Sequence, residues 1–120
     1  MYKYKAKITS VYDGDTCTAD IDLGFFMVLR KVKIRMYGID TAEMRGGTVE
    51  TKKAAVSARD FLRSKILNQE VLVLSHGKGK YGRWLGELFI IDPVTKEEIN
   101  INKLLIEKGL AIDYFGGKKK

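Results

Sequence analysis

Tyr2-Lys-Tyr-Lys-Ala-Lys-Ile-Thr-Ser-Val-Tyr-Asp-Gly-Asp-Thr-Cys-Thr-Ala-Asp-Ile-Asp-Leu-Gly24 decides the fold. Side chains of a strand point alternately to its two faces, so a period of two marks a half-buried strand. Tyr2, Tyr4, Ala6 and Ile8 share one face here, and Lys3, Lys5 and Lys7 share the other. The phase breaks near residues 9–11, as a bulge would cause. Asp13-Gly14 then signals a hairpin turn. Cys17, Ala19, Ile21 and Leu23 form the apolar face of a second strand that ends at Gly24.

Working outward, residues 26–37 read as a third strand. Val28, Val32, Ile34 and Met36 lie on its core face, with Lys31, Lys33 and Arg35 on the other. Residues 38–49 read as a polar, glycine-bearing loop. Between residues 50 and 67 the period becomes helical, with a stripe of Ala54, Ala58, Phe61, Leu62 and Ile66. Residues 71–74 and 84–91 are apolar strand runs joined by a loop rich in glycine and lysine, and Asp92-Pro93 closes the last strand. Asn100 is suited to cap a helix carrying Ile101, Leu104 and Leu105 that ends at Gly109. Three strands, a helix, two strands and a helix do not alternate as βαβ units do. They fit an α+β, mainly β fold: a five-stranded OB-type barrel with two helices. Barrels of that type bind single-stranded nucleic acid across one face.

A chain of 120 residues accommodates one sizeable core. The expected organisation is a domain over residues 1–115 and a basic, flexible tail at 116–120. Apolar residues at 45% and charged residues at 31% describe a globular protein. The formal charge is +7, and removing Lys118-Lys119-Lys120 still leaves about +4, which suits a polyanionic partner. Cys17 is the only cysteine, so neither an internal disulfide nor a cysteine-rich zinc site can form, and its strand position implies a buried structural thiol. No apolar run approaches the ~20 residues of a membrane span. Met1-Tyr-Lys-Tyr-Lys5 shows no signal-peptide pattern. A cytoplasmic monomer without a membrane partner is expected, with a secreted mature form as the alternative.

The chemistry-bearing residues lie in three strings: Asp13-Gly-Asp-Thr16, Arg35-Met-Tyr-Gly-Ile-Asp-Thr-Ala-Glu43 and Lys80-Tyr-Gly-Arg83. The carboxylates of Asp15, Asp40 and Glu43 can hold a hard cation and activate a water. The guanidiniums of Arg35 and Arg83 can clamp a phosphate whose charge grows during displacement. Oxygen-only ligands favour calcium or magnesium over zinc. This combination suits metal-assisted phosphodiester hydrolysis, although spacing alone does not say which arginine meets the scissile phosphate.

Over residues 4–115 the chain resembles the staphylococcal (thermonuclease-type) nuclease family. The strings that carry the resemblance are Val11-Tyr-Asp-Gly-Asp-Thr16, Arg35 through Glu43, Lys80-Tyr-Gly-Arg83 and Glu107-Lys-Gly-Leu-Ala111. The resemblance implies a five-stranded OB barrel and calcium-dependent cleavage of DNA and RNA. It makes Asp15 and Asp40 metal ligands, gives Thr41 a ligand role through its main-chain carbonyl, and places Glu43 beside the metal-bound water. It makes Arg35 and Arg83 the phosphate-binding pair, and Lys80 and Tyr81 contacts to a neighbouring phosphate. The tyrosine after the Gly-Leu-Ala string corresponds to Tyr114, with Phe115 as the other alignment. Two features depart from the family. Ala42 stands where proline is usual, leaving the segment from Asp40 to Glu43 less constrained. The family's third, C-terminal helix is expected to be lacking, with Gly116-Gly-Lys-Lys-Lys120 in its place.

Each string also has an ordinary reading. Asp13-Gly-Asp15 serves as a turn in many proteins, and Asp40-Thr-Ala-Glu43 can cap a helix. The glycine-lysine loop lacks the Lys-Ser/Thr ending of a P-loop. His76, the single histidine, reads as a bystander in that loop, and Tyr2, Tyr4 and Tyr12 read as packing residues. The competing function classes are a non-catalytic OB-fold nucleic-acid-binding module and a calcium-dependent interaction module. Relatives of this kind that lose activity lose acidic or arginine positions, and this chain keeps all five.

Overall fold

The strands follow the alternation, but their ends do not. In the computed structural model, which describes residues 2–42, 48–79 and 82–114, β1 (Lys3–Asp13), β2 (Thr16–Gly24) and β3 (Met27–Met36) form an antiparallel meander. The register of β1 against β2 shifts between Ile8 and Ser10 and again between Val11 and Asp13. That bulge lets Ala6, Ile8 and Val11 all face the core despite the odd spacing of the last two. After β4 (Ile39–Asp40) and α1 (Val49–Ile66), β5 (Glu70–Lys78) pairs with β1, and β6 (Trp84–Ile91) pairs with β5.

The barrel closes where β6 runs parallel to β3, pairing Ile34 with Trp84, Arg35 with Leu85 and Met36 with Gly86. Gly86 suits this seam because a Cβ there would crowd Val73 at 3.1 Å and Ile34 at 3.3 Å. The five strands β3-β2-β1-β5-β6 thus make the expected OB barrel, filled by Ile8, Ile34, Met36, Leu88 and Val71. A short β7 (Glu98–Asn100) extends the sheet beside β6. Helix α2 (Ile101–Glu107) follows, and β8 (Ile112–Asp113) pairs with β4. These two-residue strands lie where, in the first case, a loop was expected. β5 likewise runs through His76 to Lys78 rather than stopping at residue 74.

Thr48 caps α1, its Oγ1 accepting from the Thr51 N–H at 3.1 Å, with Glu50 in the first turn and Arg63 and Lys65 in the last. The buried stripe is Ala55, Ala58, Leu62 and Ile66, whereas Ala54 is exposed. Either alanine keeps a helical period with Ala58, and packing against β1 selects Ala55. Arg63 fixes that contact by donating from Nη2 to the Val11 carbonyl at 3.0 Å. Asn100 caps α2 as expected, accepting from Lys103 N–H at 3.1 Å. Inside α2, buried Asn102 accepts from Leu88 N–H at 3.1 Å and donates to the carbonyls of Tyr37 at 2.8 Å and Gly86 at 3.2 Å.

Beyond Ile21 and Val32 the β2–β3 hairpin leaves the barrel. Lys31 takes φ 57°, and the register shifts so that Ile21 faces Leu29. Leu23 and Val28, expected on the core face, are exposed as a result. The tip is a two-residue turn in which Phe25 (φ 52°) and Phe26 (φ 61°) both adopt the left-handed conformation. Asn-Gly fits such a turn without strain, whereas each bulky residue held there costs about 1–3 kcal/mol. Tyr4 packs against the core and Tyr2, though exposed, sets its ring edge-on to Tyr4 with centres 4.7 Å apart, whereas Tyr12 is exposed without such a contact among the described residues. Cys17 is buried as expected, and burial pushes its thiol up to about 12. Residues 115–120, and with them the expected basic tail, lie outside the described residues.

Candidate active site

The Asp13–Thr16 turn delivers a carboxylate to the end of the barrel. Asp15 is buried, and its main chain is held on both sides. Its N–H donates to Asp13 Oδ1 at 3.1 Å, and its carbonyl accepts from Met36 N–H at 2.8 Å. The side chain then bridges two elements, with Oδ1 accepting from Thr16 Oγ1 at 3.1 Å and Oδ2 from the Thr41 main-chain N–H at 3.0 Å. Gly14 makes this approach possible. A Cβ at that position would meet Ala58 Cβ at 2.6 Å and the Thr41 side chain at 3.0 Å. The glycine therefore serves close packing of the turn against α1 and Thr41, in addition to turning the chain.

Arg35 ends β3, and its outward face, as the alternation predicts, is the site itself. Its Nη1 donates to the carbonyls of Met36 at 3.1 Å and Ile39 at 2.9 Å and lies 3.4 Å from Asp15 Oδ2. Its Nη2 donates to Asp40 Oδ1 at 3.1 Å. The flat guanidinium thus organises the chain from Met36 to Asp40 while joining two carboxylates. β8 completes the frame: Asp40 pairs with Ile112 and Ile39 with Asp113, and the Tyr114 N–H donates to the Gly38 carbonyl at 2.9 Å. Tyr114 is thereby placed beside the segment that carries Asp40.

Arg83 immediately precedes β6. Since Leu85 pairs with Arg35, its backbone lies two residues back along the adjacent strand, about 7 Å of strand length. Its Nε is buried without a hydrogen-bond partner, as is Thr41 Oγ1. Unsatisfied buried polar atoms of this kind mark a place where a ligand or a solvent molecule belongs. Glu43, Lys80, Tyr81 and Phe115 lie outside the described residues.

The electrostatics of the turn are uneven. Burial, reinforced by a hydrogen bond and charge repulsion from Asp15, raises the Asp13 carboxyl to about 6. The neighbouring carboxylates thus resist holding full charge together.

Donor chemistry tests whether calcium suits the site. Asp15 and Asp40 offer only oxygen, and they already converge on one positive group. With Arg35 they sum to a single negative charge. Thr41 contributes a buried hydroxyl oxygen with no partner. A hard cation fits this set. Among the described residues no group of three or more His, Cys, Asp or Glu side chains assembles, so a third carboxylate would have to come from Glu43.

Sequence reading missed two supports. His76 stacks on Tyr37 with ring centres 3.8 Å apart, and its Nε2 lies 2.7 Å from Glu87 Oε1, so it is a packed member of β5 and no bystander. Glu87 in turn accepts from Asn100 Nδ2 at 2.7 Å. Asn102 ties the carbonyl of Tyr37 to β6, and no local pattern distinguishes such an asparagine from any other in a helix.

A closed five-stranded barrel with two carboxylates and a guanidinium brought together at one end is an OB-fold arrangement. The chain belongs to the staphylococcal nuclease family: the family described as Staphylococcal nuclease homologue matches residues 33–120. That match takes in Arg35, Asp40, Thr41, Glu43, Lys80, Tyr81, Arg83 and Tyr114, while Asp15 precedes it and is joined to the set by its contacts with Thr41 and Arg35. The chain is also similar to a thermonuclease of Staphylococcus hyicus, 30% identical over 98 residues, which cover 76% of this chain and 54% of the relative. It therefore spans about half the length of that curated relative.

Proposed function

We propose that this protein is a calcium-dependent nuclease that hydrolyses phosphodiester bonds of DNA and RNA with low sequence specificity. The observation that carries the reading is the convergence of Asp15 and Asp40 on Arg35 within hydrogen-bonding reach, in a chain of this family. Asp15, Asp40 and the Thr41 carbonyl would hold the ion together with Glu43. When bound, calcium supplies positive charge beside the phosphoryl oxygens and favours deprotonation of a water.

The remaining work falls to the side chains. Glu43 accepts the proton of the attacking water, a contribution of ~10²–10⁴-fold in typical cases. Arg83, with its buried Nε unpartnered, is free at that atom to meet a phosphoryl oxygen. Arg35 has a double duty. It spends donors on Met36, Ile39 and Asp40, and it presents a fixed positive charge to the phosphate. Lys80, Tyr81 and Tyr114 position the neighbouring backbone of the substrate. Among the described residues no helix is presented as a major-groove reader, which supports recognition through phosphates and one or two stacked bases.

Incubation of the purified protein with single- and double-stranded DNA and with RNA, in calcium, magnesium or excess chelator, tests the proposal. Cleavage of all three in calcium, fastest for single strands and weak in magnesium, is expected. Undiminished cleavage in chelator would overturn it, and binding without cleavage under every condition would leave a nucleic-acid-binding module instead.

A further inference from the structure

At the far end of the β2–β3 hairpin from Asp15 and Arg35, residues 22–30 are all exposed, and six of them are large and apolar: Leu23, Phe25, Phe26, Met27, Val28 and Leu29. Phe25 and Phe26, at 97% and 106% exposure, contact essentially nothing of their own chain. Single exposed apolar residues need no explanation, but a contiguous group on a projecting tip does. Both phenylalanines also sit in a backbone conformation that suits glycine and asparagine, so the turn's own geometry does not favour them. Strain together with exposure points to a use outside the folded chain.

We propose that this tip is a membrane-docking wedge that inserts its phenylalanines into the interface of an anionic lipid bilayer. Three observations select that occupant. First, the tip is convex, and a lipid interface accepts a convex apolar wedge without a matching pocket. Second, Lys31 is exposed behind it at the level of Asp20, with Lys33 farther back toward Arg35, and among the described residues neither forms an ion pair. The nearby Asp20 is engaged by Arg30 and by the Lys31 N–H, and Asp22 accepts from Gly24 N–H. A free ammonium group at the level of Lys31 complements anionic headgroups. Third, the apolar surface continues behind the tip through Leu23 and Leu29 into a hollow of about 180 Å³ that Tyr4 also lines, and tyrosine favours the headgroup region.

None of the described helices is long and apolar enough to cross a membrane, and a wedge requires none. β2 is nine residues long, so docking would hold the Asp15–Arg35 end roughly 30 Å from the lipid surface, open to its substrate. The inference stands independently of the nuclease reading.

The test is co-sedimentation with vesicles of phosphatidylcholine alone and of phosphatidylcholine with phosphatidylserine, in chelator. Wild-type protein is compared with Phe25→Asn/Phe26→Gly and with Lys31→Gln/Lys33→Gln. Wild type should partition onto the anionic vesicles, less so at high salt. The phenylalanine variant should lose at least ~10-fold in partitioning, because it removes the inserted apolar surface. Its melting temperature should match or exceed wild type, since Asn-Gly suits the turn, which separates lost docking from lost folding. The lysine variant should keep residual binding but lose the preference for phosphatidylserine. Failure of wild type to sediment with either vesicle, or equal sedimentation of the phenylalanine variant, would overturn the proposal. So would a wild-type dimer that the variant converts to monomer without any vesicle binding, which would assign the tip to a second copy. Loss of affinity for a single-stranded oligonucleotide in its place would assign it to nucleic acid.

Discussion

The two ends of one β-hairpin are chemical opposites. At one end of β2 and β3, Asp15 and Arg35 are charged yet largely buried. At the other, Phe25 and Phe26 are apolar yet fully exposed. Each arrangement costs free energy in the isolated chain, through desolvation of charge or through strain and apolar exposure. The charged end offsets its cost internally, by a web of hydrogen bonds from Thr16, Thr41 and Arg35. The apolar end has no internal compensation. Inverted rules of burial therefore distinguish a site assembled within the fold from one that needs something outside it.

The largest expected effects lie at the charged end. Glu43→Gln retains shape but removes the base, and cleavage should fall at least ~10²-fold with little change in substrate affinity. Arg83→Lys should be comparably damaging, because an ammonium does not reproduce the fork. Near-normal cleavage by both folded variants would remove the catalytic reading of this end. Arg35→Met leaves two buried carboxylates facing one another. It should lower stability in chelator by about 3–5 kcal/mol, as breaking a buried pair does, with part of the loss recovered in calcium. Urea denaturation with and without the ion measures both quantities.

Gly14→Ala sharpens the comparison by crowding the turn with its charges untouched. A Cβ 2.6 Å from that of Ala58 must push α1 or Thr41 away, costing about 1–3 kcal/mol. The Phe25→Asn/Phe26→Gly change at the opposite end should raise stability by about 1 kcal/mol or more through relief of strain, so substitutions at the two ends should have opposite signs in the same denaturation experiment. The smallest effect concerns pH. Asp13 holds its proton to about 6 in the folded protein against an ordinary 3.8, so the unfolded chain ionises first. Stability in chelator should decline from that group as pH rises between about 4 and 6, and Asp13→Asn should flatten the decline. A profile identical in both proteins would show that Asp13 is ionised at its ordinary value.

Much of this was readable from residue types. Alternation found the first three barrel strands and apolar runs the other two, the phase break at residues 9–11 found the bulge, and Asn100 marked the start of α2, because each is a local consequence of backbone geometry. The carboxylate and arginine strings were legible because their chemistry is unusual in combination. What escaped reading depends on distant partners. β4 and β8 are two residues each and exist only because they pair with one another. Ala55 rather than Ala54 faces inward because β1 lies on that side. Leu23 and Val28 alternate correctly for a core face, yet there is no core opposite them once the hairpin leaves the barrel.

The closing seam of the barrel sets a timetable. Ile34 meets Trp84, fifty residues later in the chain, whereas β1, β2 and β3 are joined by short turns. Contacts between such distant segments form late, after local hairpins have arisen. Asn102 arrives later still in sequence, and it bonds to both sides of that seam, at Tyr37 and at Gly86 and Leu88. It therefore acts as a latch on ring closure: a nascent chain that has not yet completed α2 can form the meander, with Asp15 and Arg35 already in register, but lacks the asparagine that secures β6 against the end of β3.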